Sequence, residues 1–435
     1  MPQTVRPEGY HPRIVDAQIE RYLKIFGAVE IAGTKWCGKT WSAREHAQSI
    51  SYVDTSSNIQ AAQADPSLML LGDNPHVIDE WQAVPAIWDE VRHAVDENSG
   101  QKGRWILTGS STPLTDLPFH SGSGRIGRVK MHPMSLAESG LSDASVSLRG
   151  LFDGHFSAQS HPLETRDLVD AVCKGGWPET QAMSVADAQT VIQEYIRLTV
   201  EQSFAIHGRN PDVARRLLRS LARNVGQSQT YKTLARDMFA STDEEDASVD
   251  DFITVRTLAE YLDLYESMFV IDSIPGWVPA TRSPKRLRIK PKRYFADPSI
   301  AAAVLGMNSD SLLNDWQTFG LLFENLVIRD LLVYAQALPQ ASDTPVRYYH
   351  DDSGLEADAI IELSDGRWAG FEVKVGENKV DQGASSLLRL AEKVSSQAHA
   401  QTRAPEFLAV IVGIGSYAYQ RPDGVYVIPI STLGA

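Results

Sequence analysis

The chain has 435 residues, 43% of them apolar, and a formal net charge of -14. This length outgrows a single core, no apolar run nears the roughly 20 residues of a membrane span, and "MPQTVRPEGYHPR" lacks a signal peptide's basic start and apolar stretch, so a multidomain cytoplasmic protein is predicted. Cys37 and Cys173 are the two cysteines, too few for a disulfide framework or zinc site, and the acidic balance limits nucleic-acid binding to a local basic patch.

Residues 20–135 alternate short β-rich runs with helix-like stretches. "AVEIAG", "SYVD", "HVIDE" and "RWILTGS" read as strands, and the alternation predicts an α/β fold with a parallel sheet. The first strand runs into "GTKWCGKT", which fits G-x-x-x-x-G-K-[ST] through Gly33, Gly38, Lys39 and Thr40. Glycines permit a tight loop with inward N–H groups, and the helix "TWSAREHAQ" offers its positive end to phosphate. Lys39 would reach the β- and γ-phosphates of ATP and Thr40 would ligate Mg2+, with Thr34 and Trp41 beside them in the nucleotide-binding set. Cys37, inside the loop, is either an oxidation-sensitive thiol or a filler.

The strand "HVIDE" places Asp79 and Glu80 at its carboxyl end, where ligands of open α/β sheets gather. Asp79 would hold Mg2+ and Glu80 would polarise the attacking water. "WILTGS" ends in Thr108 and Ser110, hydroxyls suited either to sensing the γ-phosphate or to capping a loop. Arg125 and Arg128, in "SGRIGRVKMHP", either deliver charge to the transferring phosphoryl group, in cis or from a neighbouring subunit, or are surface arginines. This first domain is assigned residues 1–150.

Residues 165–297 are mainly helical, with apolar residues at three and four spacing in "VIQEYIRLTVEQSF", "VARRLLRSLARNV" and "VRTLAEYLDLYESMF". An acidic loop, "STDEEDASVDD", precedes the last of these. The run Arg282 to Arg293, "RSPKRLRIKPKR", carries seven cations and no acid; it is either a DNA contact or a ribbon edge protected by its charges. Helices followed by two ribbon strands suggest a winged helix-turn-helix. Its recognition helix, Ile253 to Ser267, holds Arg256 against Glu260, Asp263 and Glu266, which suits a groove poorly and favours packing on its own chain or on a protein partner.

Residues 298–435 read as a mixed α/β domain. The amphipathic helix "TFGLLFENLVIRDLLVYAQ" leads to strands "VRYYHD", "ADAIIEL", "WAGFEVKV" and "FLAVIVG", with the helix "ASSLLRLAEKV" among them. Glu372 and Lys374 share one face of their strand, and Asp358 on the adjoining strand would complete a D…E-x-K magnesium site. Glu324 has helical neighbours Gly320, Val327, Ile328 and Leu331, so it needs a partner or a metal. The alternative is a scaffold in which Glu372 and Lys374 form a same-face ion pair.

Together "GTKWCGKT", "VIDEWQAVPAIWDEVRHAVDE", "WILTGSS", "SGRIGRVKMHPMSLAE" and "GGWPE" resemble a widespread prokaryotic group. It comprises AAA-lineage P-loop ATPases whose C-terminal half is a domain of unknown function, with a winged helix and a restriction-endonuclease-like end. The resemblance implies an AAA-type core with Lys39, Thr40, Asp79 and Glu80 in their roles, and extends the nuclease-like set to Glu324, Asp358, Glu372 and Lys374. The leading expectation is a Mg-ATPase whose cycle moves a DNA-binding, nuclease-like half on nucleic acid. The alternatives are an ATP-dependent switch that grips a protein partner with its nuclease fold inert, and a metal-dependent nuclease whose ATP site assembles a homo-oligomer.

Overall fold

Strand β1 (Ala28–Ala32) is buried at every position because apolar clusters cover both faces of its sheet, and a parallel strand so placed reads as a nearly unbroken apolar run. The computed structural model describes residues 5–98, 100–112, 122–239, 253–279, 289–396 and 403–435; the acidic loop at 241–251 lies outside them. Contacts divide the chain into one unit of residues 1–133 with 267–270 and a second of 134–266 with 271–435.

In the first unit β1 is joined by β2 (Ser49–Tyr52), β3 (His76–Asp79), β4 (Trp105–Gly109) and β5 (Ile126–Lys130), all parallel, in the order β2-β3-β4-β1-β5. The helices are α1 (Asp16–Ile25), α2 (Lys39–Glu45), α3 (Ser56–Ala64) and α4 (Ala86–Glu97). One face packs Ala28, Ile78, Trp105 and Leu107 against Ile87 and Val91 of α4. The other packs Val29, Ile31, Val77, Ile106 and Val129 against Ile19 of α1 and Ala43 of α2. Strand β5 was not expected, because "IGRVK" mixes charge and glycine into too short an apolar signal. It is tied to β1 by charge as well: the buried Glu30 carboxylate meets Arg128, its register partner, at 2.6 Å.

The second unit begins with β6 (Val146–Ser147) and α5 (Leu148–Phe152), and β6 pairs in parallel with the last strand, β15 (Leu433–Gly434). Residues 134–150, expected in the first domain, therefore lie here, and the contact boundary falls after Pro133. The helical segment comprises α6 (Thr165–Lys174), α7 (Val185–Leu198), α8 (Phe204–Ile206), α9 (Pro211–Arg223), α10 (Tyr231–Phe239) and α11 (Val255–Ser267). Strands β7 (Ile271–Ile274) and β8 (Lys292–Phe295) form an antiparallel pair. After α12 (Pro298–Leu305) and α13 (Ser309–Asn314) comes α14 (Trp316–Gln336). Contrary to the amphipathic expectation, α14 is buried continuously from Asn325 to Ala335, as a helix apolar on most sides requires.

A mixed sheet follows: β9 (Ala341–His350), β10 (Glu356–Leu363) and β11 (Trp368–Gly376) form an antiparallel meander, and β12 (Phe407–Ile414) and β14 (Tyr426–Pro429) continue parallel to β11. The short β13 (Tyr419–Gln420) closes the edge beyond β14. Helix α15 (Val380–Ser396) covers one face through Leu387, Leu390 and Val394, while α14 packs on β9 and β11.

A buried ion network knits this unit. Arg329 of α14 reaches Asp297 at 2.8 Å and Asp330 at 2.6 Å, and all three are 2% exposed or less. Asp330 also accepts from the Leu136 amide at 3.0 Å, and Asp297 from the Gly176 amide at 2.9 Å. A side chain at Gly176 would stand 2.0 Å from the Met134 carbonyl oxygen, so the second glycine of "GGWPE" is a requirement of close approach. Removing one partner of such a network strands a buried charge, at about 3–5 kcal/mol. Arg329→Met is accordingly expected to lower the urea midpoint of this unit markedly, read by tryptophan fluorescence.

Candidate functional site

Because β4 lies between β1 and β3, the carboxyl ends of all three strands converge on one edge of the first sheet. The chain leaves β1 through Gly33, turns with Trp36 at φ 73° and Gly38 at φ 103°, and enters α2 at Lys39. The left-handed values mark a loop held in shape by its surroundings. Arg13 braces it from below, donating to the carbonyls of Cys37 and His132, both at 2.9 Å. Sequence reasoning passed over Arg13, since nothing local ties it to a loop two dozen residues on. Gly33 is required for another reason: a Cβ there would lie 2.1 Å from the Met131 carbonyl oxygen. Cys37 is fully buried, with its thiol against that same carbonyl at 3.6 Å, which removes it from the reach of oxidants and identifies it as the filler.

Lys39 is 4% exposed and its ammonium donates to the Thr34 carbonyl at 2.8 Å, folded back into the loop that it would use to grip phosphates. Thr40 donates to Asp79 Oδ1 at 2.8 Å, and Thr108 donates to the same oxygen at 2.5 Å. Burial pushes the Asp79 carboxyl above its ordinary range, opposed by these two hydroxyls. The Thr40 hydroxyl beside the Asp79 carboxylate is an all-oxygen donor pair of the kind a hard cation such as Mg2+ takes, so the residues fit the metal. Trp41 follows in the first turn of α2, 46% exposed.

Glu80 sits at φ 55°, just past β3. Its carboxylate accepts from Ser110 at 2.8 Å and from the Gln82 amide, and its own amide donates to Thr108 at 3.2 Å. The hydroxyls expected to meet the γ-phosphate are thus engaged by the acidic pair.

Arg125 is the clear displacement. Its carbonyl accepts from the Ala28 amide at the start of β1, so it lies at the amino edge of the sheet, about 13 Å of strand from the phosphate loop at about 3.3 Å per residue. Its guanidinium pairs with Asp96 at 2.8 Å. This placement sets it apart from the carboxyl edge that carries the loop. Arg128 is taken by Glu30.

In the second unit the structure does assemble Glu324, Asp358, Glu372 and Lys374. Asp358 accepts from the Val373 amide at 2.8 Å, and Lys374 meets Glu372 at 2.5 Å and Asp358 at 3.8 Å. Two further residues complete the cluster: Glu356, and Lys292, which is 5% exposed. Tyr294 donates to Glu324 at 2.6 Å. Burial and then the Asp358 charge raise the carboxyls of Glu324 and Glu372. Burial opposes the charge on Lys292, yet Glu324, Asp358 and Glu356 outweigh it and hold the amine above its usual value. Among the described residues no three His, Cys, Asp or Glu side chains converge with metal-binding geometry; here Lys292 reaches Glu324 and Asp358, and Lys374 reaches Asp358 and Glu372.

The basic run is also revised. Arg282 to Arg288 lie outside the described residues, but Lys292 is in the acidic cluster and Arg293, 8% exposed, lies over the Tyr231 ring at 5.4 Å. Helix α11 buries Leu258, Tyr261, Leu262, Leu264 and Tyr265. Its Arg256 pairs with Glu260, which also meets Arg209, and its Glu266 accepts from Ser273.

Residues 26–140 match the family described as an AAA domain. Residues 165–311 and 319–433 match two domains of unknown function, DUF8612 and DUF4143. A solved structure, the Walker-type ATPase PABY2304 of Pyrococcus abyssi, aligns at 15% identity and a TM-score of 0.42, over 70% of this chain and 98% of that one. No curated protein matches.

Gly33→Ala is expected to abolish nucleotide binding with helix content retained, because the added methyl must displace the Met131 carbonyl. Titration with a fluorescent ATP analogue, paired with circular dichroism, checks both halves.

Proposed function

We propose that this chain, which carries an AAA-type P-loop ATPase domain at its amino end and a DUF4143 domain at its carboxyl end, hydrolyses Mg-ATP slowly and uses the cycle as a switch on a protein partner without cutting nucleic acid. The observation that carries the reading is the shared edge: Thr40 after the loop, Asp79 and Glu80 at the end of β3, and Thr108 and Ser110 at the end of β4 meet through direct hydrogen bonds, beside Lys39 on the Thr34 carbonyl of the loop.

Lys39 exchanges the Thr34 carbonyl for the β- and γ-phosphates. Thr40 and Asp79 would hold the metal, with Thr108 fixing the Asp79 carboxylate. Bound with ATP, Mg2+ would supply charge neutralisation for the transferring phosphoryl group. Glu80 polarises the attacking water while Ser110 and Gln82 hold its Oε2, and the need for Lys39 to leave the Thr34 carbonyl first supports slow basal turnover. Support for a non-cutting second unit comes from the lysine-filled carboxylate cluster, support against a groove-reading α11 from its internally paired Glu260 and Glu266, and support for a protein partner from the net charge. Arg125 would meet a γ-phosphate only in a neighbouring copy.

One observation favours the other reading, an ATPase that acts on nucleic acid. Arg215, Arg216, Arg219 and Arg223 of α9 line an open cleft of about 650 Å³, a surface that could follow a phosphate backbone. Arg215 and Arg223 are partly neutralised by Asp212 and Asp237.

Phosphate release from Mg-ATP, with Lys39→Ala as the blank, is expected to show Lys39-dependent turnover that mixed-sequence DNA leaves unchanged; stimulation by DNA would transfer support to the second reading. Glu80→Gln is expected to lower kcat by about 10²–10⁴ while ATP affinity holds, measured by turnover and by equilibrium nucleotide binding.

A further inference from the structure

The acidic cluster of the second unit already contains a cation. The Lys292 ammonium stands 2.6 Å from Glu356 Oε1, 3.7 Å from Glu324 Oε1 and 3.9 Å from Asp358 Oδ1. We propose that Lys292 is a built-in counter-cation that closes this carboxylate cluster to divalent metal.

The lysine is placed with care. It arrives on β8, in register with Ile274 of β7, and so comes from outside the meander that carries Asp358 and Glu372. Two residues on, along the same face of that strand, Tyr294 hydroxyl engages Glu324. The Tyr348 ring of β9 lies under the ammonium at 5.3 Å, adding a favourable contact for a cation. Lys374 enters from the other side, against Glu372 and Asp358. Four carboxylates thus face two ammonium groups, and burial together with the Asp358 charge raises the carboxyls of Glu324 and Glu372.

A hard divalent ion needs several oxygens at about 2.0–2.6 Å. The same oxygens are spread around an ammonium group at hydrogen-bond and ion-pair distances. A metal and Lys292 therefore compete for one place, and Lys292 is covalently held there at a concentration no free ion matches. The D…E-x-K pattern on β10 and β11 is retained while its cation is supplied by a strand from elsewhere in the chain. This inference rests on the reading of the second unit as metal-free, and the test separates the two.

The full-length protein, free of nucleotide, is titrated with Mn2+ and the free ion is followed by electron paramagnetic resonance. Wild type is expected to show no Mn2+ site that depends on Asp358. Lys292→Met, and the charge-balanced double variant Lys292→Met with Glu356→Gln, are expected to gain one, bound roughly tenfold or more tighter than any wild-type Mn2+ binding, and to lose it when Asp358→Asn is added. The double variant removes one cation and one anion together, so it keeps the test open where the single variant fails to fold; circular dichroism verifies folding. If neither variant gains a site, the proposal falls while the metal-free reading stands. An Asp358-dependent Mn2+ site in wild type would overturn both.

Discussion

An acidic chain that buries charge must compensate each one, and the Arg329 guanidinium between Asp297 and Asp330 is where most of the second unit depends on that rule. Desolvating three ionic groups is costly unless geometry and additional hydrogen bonds repay it. Here the repayment recruits distant segments: the Leu136 amide, the Gly176 amide and the cap of α12 at Ser299 all satisfy the same carboxylates. The network therefore helps fix which stretches of sequence meet: it ties Leu136 into the second unit, to which pairing with β15 adds residues 146–147, although the first domain was expected to run to residue 150.

The same rule recurs in smaller form. Glu30 in β1 is made tolerable by Arg128 and by the Trp81 indole N–H at 3.3 Å. Asp79 is held by two hydroxyls instead, which keeps its oxygens available to exchange partners. The contrast separates structural from chemical carboxylates: the first is saturated by a fixed charge, the second by groups that give way.

What the sequence reveals follows the range of the interactions involved. The phosphate loop is legible because its spacing encodes a local geometry, glycine to glycine to lysine, and Asp79 and Glu80 because they end an apolar strand. Alternation places Glu372 and Lys374 on one face of β11, but the meeting of Asp358 with Glu372 depends on strand register, and β11 is buried on both faces as far as Val373. Arg125 stays ambiguous in the sequence because a neighbour in sequence to a strand can sit at either of its ends, and β5 is too short and too charged to show its direction. Lys292 was read as part of an exposed basic run since its partners lie 32, 64 and 66 residues away. No local pattern announces a pairing of that span.

Cys37 gives the loop a property separate from its chemistry. The thiol is sealed between α2 and the backbone at Met131, and a buried thiol is inert towards external reagents. It becomes reactive only when that seal opens, whether by local movement of the loop or by unfolding. The rate at which Cys37 is alkylated, resolved from that of the also buried Cys173, thus follows how often the packing under the phosphate loop opens, without any added label.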